Sequence, residues 1–136
     1  QNYDYLKSRI SKKVAFMLVL PNQEILIPHN RILLSWVIEN IVKNAVDAMK
    51  GEGRLEIELY EKSKNIIIDL KDSGSGMTAF QARNAFKAGY STKKRGWGLG
   101  LSLAKRVMKE YHRGDIKIAQ TEVGKGTTFR IMMKNG

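Results

Sequence analysis

The sequence predicts an α+β domain, a two-layer sandwich with about three helices on one face of a mainly antiparallel, mixed sheet. Strands and helices are mixed along the chain. The strands pair locally, with hairpin turn chemistry at 62–64 and 124–126. A third observation removes the main alternative, a doubly wound nucleotide fold. Gly96-Trp97-Gly98-Leu99-Gly100 lacks the Gly-Lys-Ser/Thr of a phosphate loop and follows a loop, not a strand.

Residues 12–20 (KKVAFMLVL) read as a strand, and 24–28 as a short second one after the Pro21-Asn22 turn. From Asn30, a suitable N-cap, the period changes. Ile32, Leu33, Trp36, Val37, Asn40, Ile41, Asn44, Ala45 and Ala48 recur at helical spacing, predicting a helix that stops at Gly51. Residues 55–60 alternate as a strand, and 65–70 are its partner across Lys62-Ser63-Lys64. Thr78 caps a short helix to about Phe86, and 87–98, without periodicity, predict a mobile loop. Residues 99 to about 112 are amphipathic, with Leu99, Leu103, Val107 and Met108 on one face and Gly114 as the stop. Segments 115–121 and 127–133 close the chain as a second hairpin across Gly124-Lys125-Gly126.

The 136 residues suffice for one domain with a real core, spanning 1–136. There is no cysteine, so disulfides, cysteine–zinc sites and thiol catalysis are excluded. The longest apolar run, 14–20, is too short to span a bilayer, and no signal-peptide pattern opens the chain. The chain begins with Gln1, which reads as a piece of a longer protein. Residues 1–72 carry eleven Lys/Arg against ten Asp/Glu; residues 73–136 carry thirteen against three. A basic half invites a nucleic-acid reading, but no aromatics interleave with the cations and no nucleic-acid module is present. A nucleic-acid partner is therefore not expected. The cations at Lys93, Lys94 and Arg95 adjoin glycines, which favours a well for a polyphosphate.

Three segments carry chemistry. Asn40 and Asn44 are four apart on a helix and project from one face; amide oxygens are hard neutral donors that suit Mg²⁺ already holding phosphate oxygens. Asp72 ends a β-forming run just before Gly74 and Gly76, where a carboxylate can accept from the adenine amino group. Alone, an Asp-x-Gly turn is commonplace. Gly96, Gly98 and Gly100 alternate into a helix start anchored by Leu99 and Leu101, whose free N–H groups suit phosphate.

In order and spacing these segments resemble the ATP-binding catalytic domain of bacterial sensor histidine kinases, within the wider family of type II topoisomerases, heat-shock chaperones and mismatch-repair ATPases. Glu39-Asn40-Ile41-Val42-Lys43-Asn44-Ala45 looks like the N box, and Asp72-x-Gly74-x-Gly76 like the G1 box. Ala85-Phe86 and Tyr90-Ser91-Thr92-Lys93 resemble the F box and ATP lid, and Gly96-Trp97-Gly98-Leu99-Gly100-Leu101 the G2 box. Gly124-Lys125-Gly126-Thr127-Thr128-Phe129 is similar to the closing strand motif.

The resemblance implies a Bergerat-type fold that binds ATP and Mg²⁺. It implies Asn44 on the metal, Asn40 at the phosphates, and Asp72 on adenine within the Gly74 and Gly76 turn. Thr92, Lys93, Gly96, Gly98, Leu99, Gly100 and Leu101 would cover the triphosphate, and Thr128 would lie near the base. Asn40, Asn44 and Lys93 would act at the transferring phosphoryl group. In branches that hydrolyse ATP or phosphorylate a hydroxyl, a glutamate base stands four residues before the metal asparagine. Asn40 holds that place and cannot act as a base, whereas a histidine acceptor needs none. Glu39 points about 100° away on a helix. Transfer to histidine is therefore expected, ahead of an ATPase or serine kinase of the same fold or a nucleotide-dependent interaction module.

The implied partners are a histidine-bearing dimerisation domain of the same kinase and, downstream, a response regulator. The isolated domain would be a monomer, its parent a cytoplasmic or membrane-anchored homodimer. The acceptor hairpin is not within these residues, and His29 and His112 read as surface or core-edge groups. Asp47 stands where many of these kinases carry a basic residue.

Overall fold

The computed structural model describes residues 14–20, 31–87, 100–111 and 113–134. Strand β1 (Val14–Val19) precedes helix α1 (Arg31–Ala48). The hairpin β2 (Gly53–Lys62) and β3 (Asn65–Asp72) follows, then short helix α2 (Ala79–Asn84). Helix α3 (Gly100–Tyr111) leads into the closing hairpin, β4 (Gly114–Glu122) and β5 (Gly126–Lys134). The expected strand at 24–28, the Asn30 cap and residues 88–99 of the expected loop lie outside the described residues.

The five strands form one sheet in the order β1-β2-β3-β5-β4. β1 pairs with β2 in parallel and the other three pairings are antiparallel, so the sheet is mixed and mainly antiparallel as expected. A parallel pair needs a crossover, and α1 lies between β1 and β2 in the chain. Leu55, Ile57, Ile66, Ile68, Leu70, Ile116, Phe129, Ile131 and Met133 point to the face covered by α1 and α3 and make the core. The opposite face is polar. There Arg130 donates to both oxygens of Asp69 (Nε–Oδ1 2.8 Å, Nη2–Oδ2 3.1 Å), and the Tyr60 hydroxyl donates to Asp69 Oδ2 at 2.8 Å. Burial first, then the neighbouring Asp69 carboxylate, push the Tyr60 phenol above its ordinary range.

The two long helices bury somewhat different stripes from those their spacing suggested. α1 inserts Leu34, Val37, Ile38, Ile41, Val42 and Ala45, while Ile32 is 81% exposed and Trp36 is also exposed. Its first half is apolar nearly all round, so packing against the sheet chooses the stripe. Asn40 and Asn44 fall on its half-buried flank. On α3 the buried residues are Ala104 and Met108, with Leu101 and Val107 packed beside them. Leu103, expected inside, is 43% exposed. At about 100° per residue it stands roughly 120° from the Ala104–Met108 centre.

Helix α1 ends in a Schellman pair: Gly51 N–H donates to Val46 O and Lys50 N–H to Asp47 O, both at 3.0 Å. Lys50, not a glycine, takes the first left-handed position (φ 56°). α2 carries the expected cap in both directions, Gln81 N–H to Thr78 Oγ1 (3.1 Å) and Thr78 N–H to Gln81 Oε1 (2.9 Å). After α3 the left-handed residue is Arg113 (φ 50°), and Gly114 is already the first residue of β4. Lys105 fastens α3 to β4: its Nζ reaches Asp115 Oδ1 (3.1 Å) and Ile116 O (2.9 Å) and sits 4.6 Å from the Phe86 ring centroid.

The β2–β3 hairpin turns through Ser63 (φ 53°) and Lys64 (φ 65°), two L-residues in the left-handed region where Asn-Gly is the favoured pair. Lys64→Gly relieves that strain and is expected to stabilise the domain by up to about 1 kcal/mol, read as a rise in urea midpoint at unchanged m value.

Candidate functional site

The site begins where β3 runs out. Alternation along β3 sends Ile66, Ile68 and Leu70 inward, and Asp72 continues that row into the interior, where it is 3% exposed. Its Oδ1 accepts two backbone N–H groups, from Gly74 at 2.8 Å and Thr127 at 3.2 Å. Its Oδ2 has no hydrogen-bond partner among the described residues. Burial raises the Asp72 pKa, and the Gly74 and Thr127 donors pull partly the other way. A buried carboxylate with one engaged and one open oxygen is an acceptor waiting for a donor.

The turn after Asp72 is held from three sides. Ser73 N–H donates to Arg54 O (3.1 Å), tying it to β2, and Ser75 N–H donates to Ala48 O (3.1 Å), tying it to the end of α1. Gly124 N–H, from the β4–β5 turn, donates to Ser75 O at 2.7 Å. Gly76 has φ +69°, and a side chain there would drive into the carbonyl of Glu122. Gly126 has φ +119°, and a Cβ there would collide with the carbonyl of Asp72. These two glycines let three segments converge on the carboxylate.

Thr127 is buried on the same face as Asp72 and Phe129. Its Oγ1 lies 2.8 Å from Thr121 Oγ1, and that oxygen accepts the Met77 N–H at 2.9 Å. Thr128, expected near the base, pairs with Lys71 on the opposite face of β5. The threonine at the carboxylate is Thr127. The signal was in the sequence: with Phe129 and Ile131 inward, period 2 places Thr127 inward and Thr128 outward.

From the turn, α1 leads toward the second group of expected residues. Asn44 and Asn40 stand one and two turns before Ala48, about 6 and 12 Å along the axis. Asn40 Nδ2 donates back to Trp36 O at 2.9 Å. The start of α3 meets the helix at this point: a Cβ on Gly100 would lie 3.0 Å from Asn40 Oδ1. The opening N–H groups of α3, beginning with Gly100 and Leu101, therefore adjoin Asn40. One flank of α1 thus links Asp72 at one end to a helix N-terminus at the other, a span of the order of a sugar and its phosphates. Glu39 is half-buried and Asp47 exposed. Thr92, Lys93, Gly96, Gly98 and Leu99 lie outside the described residues. Among the described residues no three His, Cys, Asp or Glu side chains converge to hold a metal ion. No helix among them is long and apolar enough to cross a membrane.

Comparison with known proteins gives the family and the fold. The chain is 38% identical over 100 residues to sporulation kinase C of Bacillus subtilis (strain 168), covering 74% of this chain and 23% of that protein. It is 33% identical over 125 residues to the signal transduction histidine-protein kinase AtoS of Escherichia coli (strain K12), covering 91% of this chain and 20% of that protein. It thus spans under a quarter of the length of these curated relatives. Its fold superposes on the nucleotide-free catalytic domain of histidine kinase ThkA with a TM-score of 0.86 at 23% identity, over 98% of this chain and 88% of that one. A further match, over 99% of this chain and 38% of the other, is ThkA in complex with the response regulator TrrA, with a TM-score of 0.83 at 20% identity. Residues 29–136 match the family model described as histidine kinase-, DNA gyrase B- and HSP90-like ATPase, and the chain belongs to that family.

Proposed function

We propose that this chain is the ATP-binding catalytic domain of a sensor histidine kinase, holding ATP for transfer of its γ-phosphoryl group to a histidine elsewhere in the parent. The observation that carries the reading is the open Oδ2 of buried Asp72, an acceptor placed for the adenine amino group. The Thr127 hydroxyl stands beside it as a donor for ring nitrogen N1. At the other end, the Gly100 and Leu101 N–H groups and the Asn40 amide suit phosphate oxygens. Thr92, Lys93, Gly96, Gly98 and Leu99 would close over the triphosphate, Lys93 as a point charge.

The donor set fits Mg²⁺. Mg²⁺ prefers phosphate and water oxygens, and would take most of its ligands from them here, with Asn44 supplying one amide oxygen. When bound, it would neutralise charge on the phosphate oxygens. Asn40 stands where a glutamate base would activate water or a hydroxyl. A neutral imidazole needs no proton removed before attack, so positioning and charge neutralisation carry the transfer. The relatives named as histidine kinases support this acceptor, and the ThkA–TrrA complex supports a response regulator downstream. The acceptor histidine is assigned to a dimerisation domain of a homodimeric, cytoplasmic or membrane-anchored parent.

Incubated with Mg²⁺ and γ-labelled ATP, this chain is expected to bind nucleotide by calorimetry yet stay unlabelled. Label on His29 or His112, or steady release of phosphate, would favour another acceptor or an ATPase.

Asp72→Asn separates binding from folding. The amide oxygen still accepts from Gly74 and Thr127, but an N–H₂ donor now faces the adenine amine. ADP affinity should fall at least about tenfold, the scale of a hydrogen bond to a charged acceptor. Because burial raises the wild-type pKa, the folded state favours neutral Asp72, and that stability is lost as pH rises through the raised value. The variant should therefore melt no lower than wild type at pH 8. Binding runs the other way: accepting from adenine needs the carboxylate, so wild-type affinity weakens as pH drops through the raised pKa. Asp72→Asn should lack that component.

A further inference from the structure

We infer that Thr121 is a positioning residue for base recognition, supplying the hydrogen bond that leaves the Thr127 hydroxyl proton free for ring nitrogen N1 of adenine. The inference rests on the nucleotide reading above. β4 carries one extra residue against β5, a bulge that shifts the register between Ile118 and Gln120. Continued without the bulge from the Ile118–Phe129 pair, the ladder would put Gln120 opposite Thr127; the bulge puts Thr121 there. Directly opposed residues of an antiparallel pair share a face, so the two hydroxyls meet at 2.8 Å. Bulges re-aim side chains in this way.

A threonine hydroxyl has one proton and two lone pairs. The Met77 N–H fills one lone pair of Thr121 at 2.9 Å, which also fixes the chain leaving the Asp72 turn. The Thr121 proton has two acceptors in reach, Thr127 Oγ1 at 2.8 Å and Gly126 O at 3.3 Å, and we assign it to the shorter contact. In that order Thr127 Oγ1 accepts and its own proton is left for a ligand. Beside it, the Thr127 N–H points at Asp72 Oδ1, whose partner oxygen is open. The pair therefore offers an acceptor next to a donor. Adenine presents the complement, an amino donor next to the N1 acceptor, and a 6-oxopurine presents the reverse.

The test compares three ligands by calorimetry: ADP, 1-deaza-ADP, which lacks the N1 acceptor, and purine riboside diphosphate, which lacks the amino donor. Wild type should prefer ADP over 1-deaza-ADP by about tenfold. Thr121→Val should bring that ratio close to one while leaving the preference for ADP over purine riboside diphosphate unchanged, and Thr121→Ser should restore the first ratio. Thr121→Ala gives the same readout if valine crowds the turn. A valine or alanine variant with the wild-type N1 ratio, a parallel loss of both ratios, or no rescue by serine would overturn the inference. Wild type that reads the amine but ignores N1 overturns it alone; wild type with no affinity for ADP overturns the nucleotide reading as well.

Discussion

One carboxylate oxygen organises this end of the molecule. Asp72 Oδ1 collects an N–H from the turn that follows it and another from β5, joining residues 55 positions apart in sequence. Ionised or neutral, a buried carboxyl is tolerated only when such donors reach it, and here they come from backbone, whose position the sheet fixes. The same two bonds consume Oδ1 and leave Oδ2 open. Burial, orientation and an unfilled acceptor thus follow from one arrangement.

The surrounding chain serves that arrangement. The Schellman end of α1 sets Ala48 O where Ser75 N–H can reach it, and the β4–β5 turn grips the other side through Gly124. Gly76 and Gly126 have no side chain because carbonyls of Glu122 and Asp72 occupy the space. Further along α1, the close approach of Gly100 brings the start of α3 to Asn40. A single rigid helix therefore sets the distance between the Asp72 turn and the start of α3, which a flexible connection could not hold.

Much of this was legible in the sequence, and the misses on the two long helices share a cause. The hairpins, the Thr78 cap and the glycine turns rest on local chemistry, which a short window contains. The stripe that α1 buries does not: Ile32, Leu33, Leu34, Trp36, Val37 and Ile38 leave several apolar faces to choose among, and only packing against the sheet decides. Leu103 was misplaced for the same reason, an apolar residue outside the seam its helix uses. The parallel pairing of β1 with β2 is non-local and leaves no turn signature. Among the expected site residues, Asp72 is buried at the end of β3, and Asn40 and Gly100 lie side by side where α1 meets α3. Thr128 lies on the sheet face opposite Asp72, a placement that strand periodicity alone predicts. Thr121 was out of reach, since it comes opposite Thr127 only through a bulge.

The central claim is that Asp72 recognises a purine by accepting from its 6-amino group. The most direct measurement is the affinity of the wild-type chain for ADP against IDP, which replaces that amine with a carbonyl and leaves sugar and phosphates unchanged. With a carboxylate facing a carbonyl oxygen, IDP should bind at least about a hundredfold more weakly than ADP. Equal affinities would contradict the account, because a phosphate site alone would then explain binding.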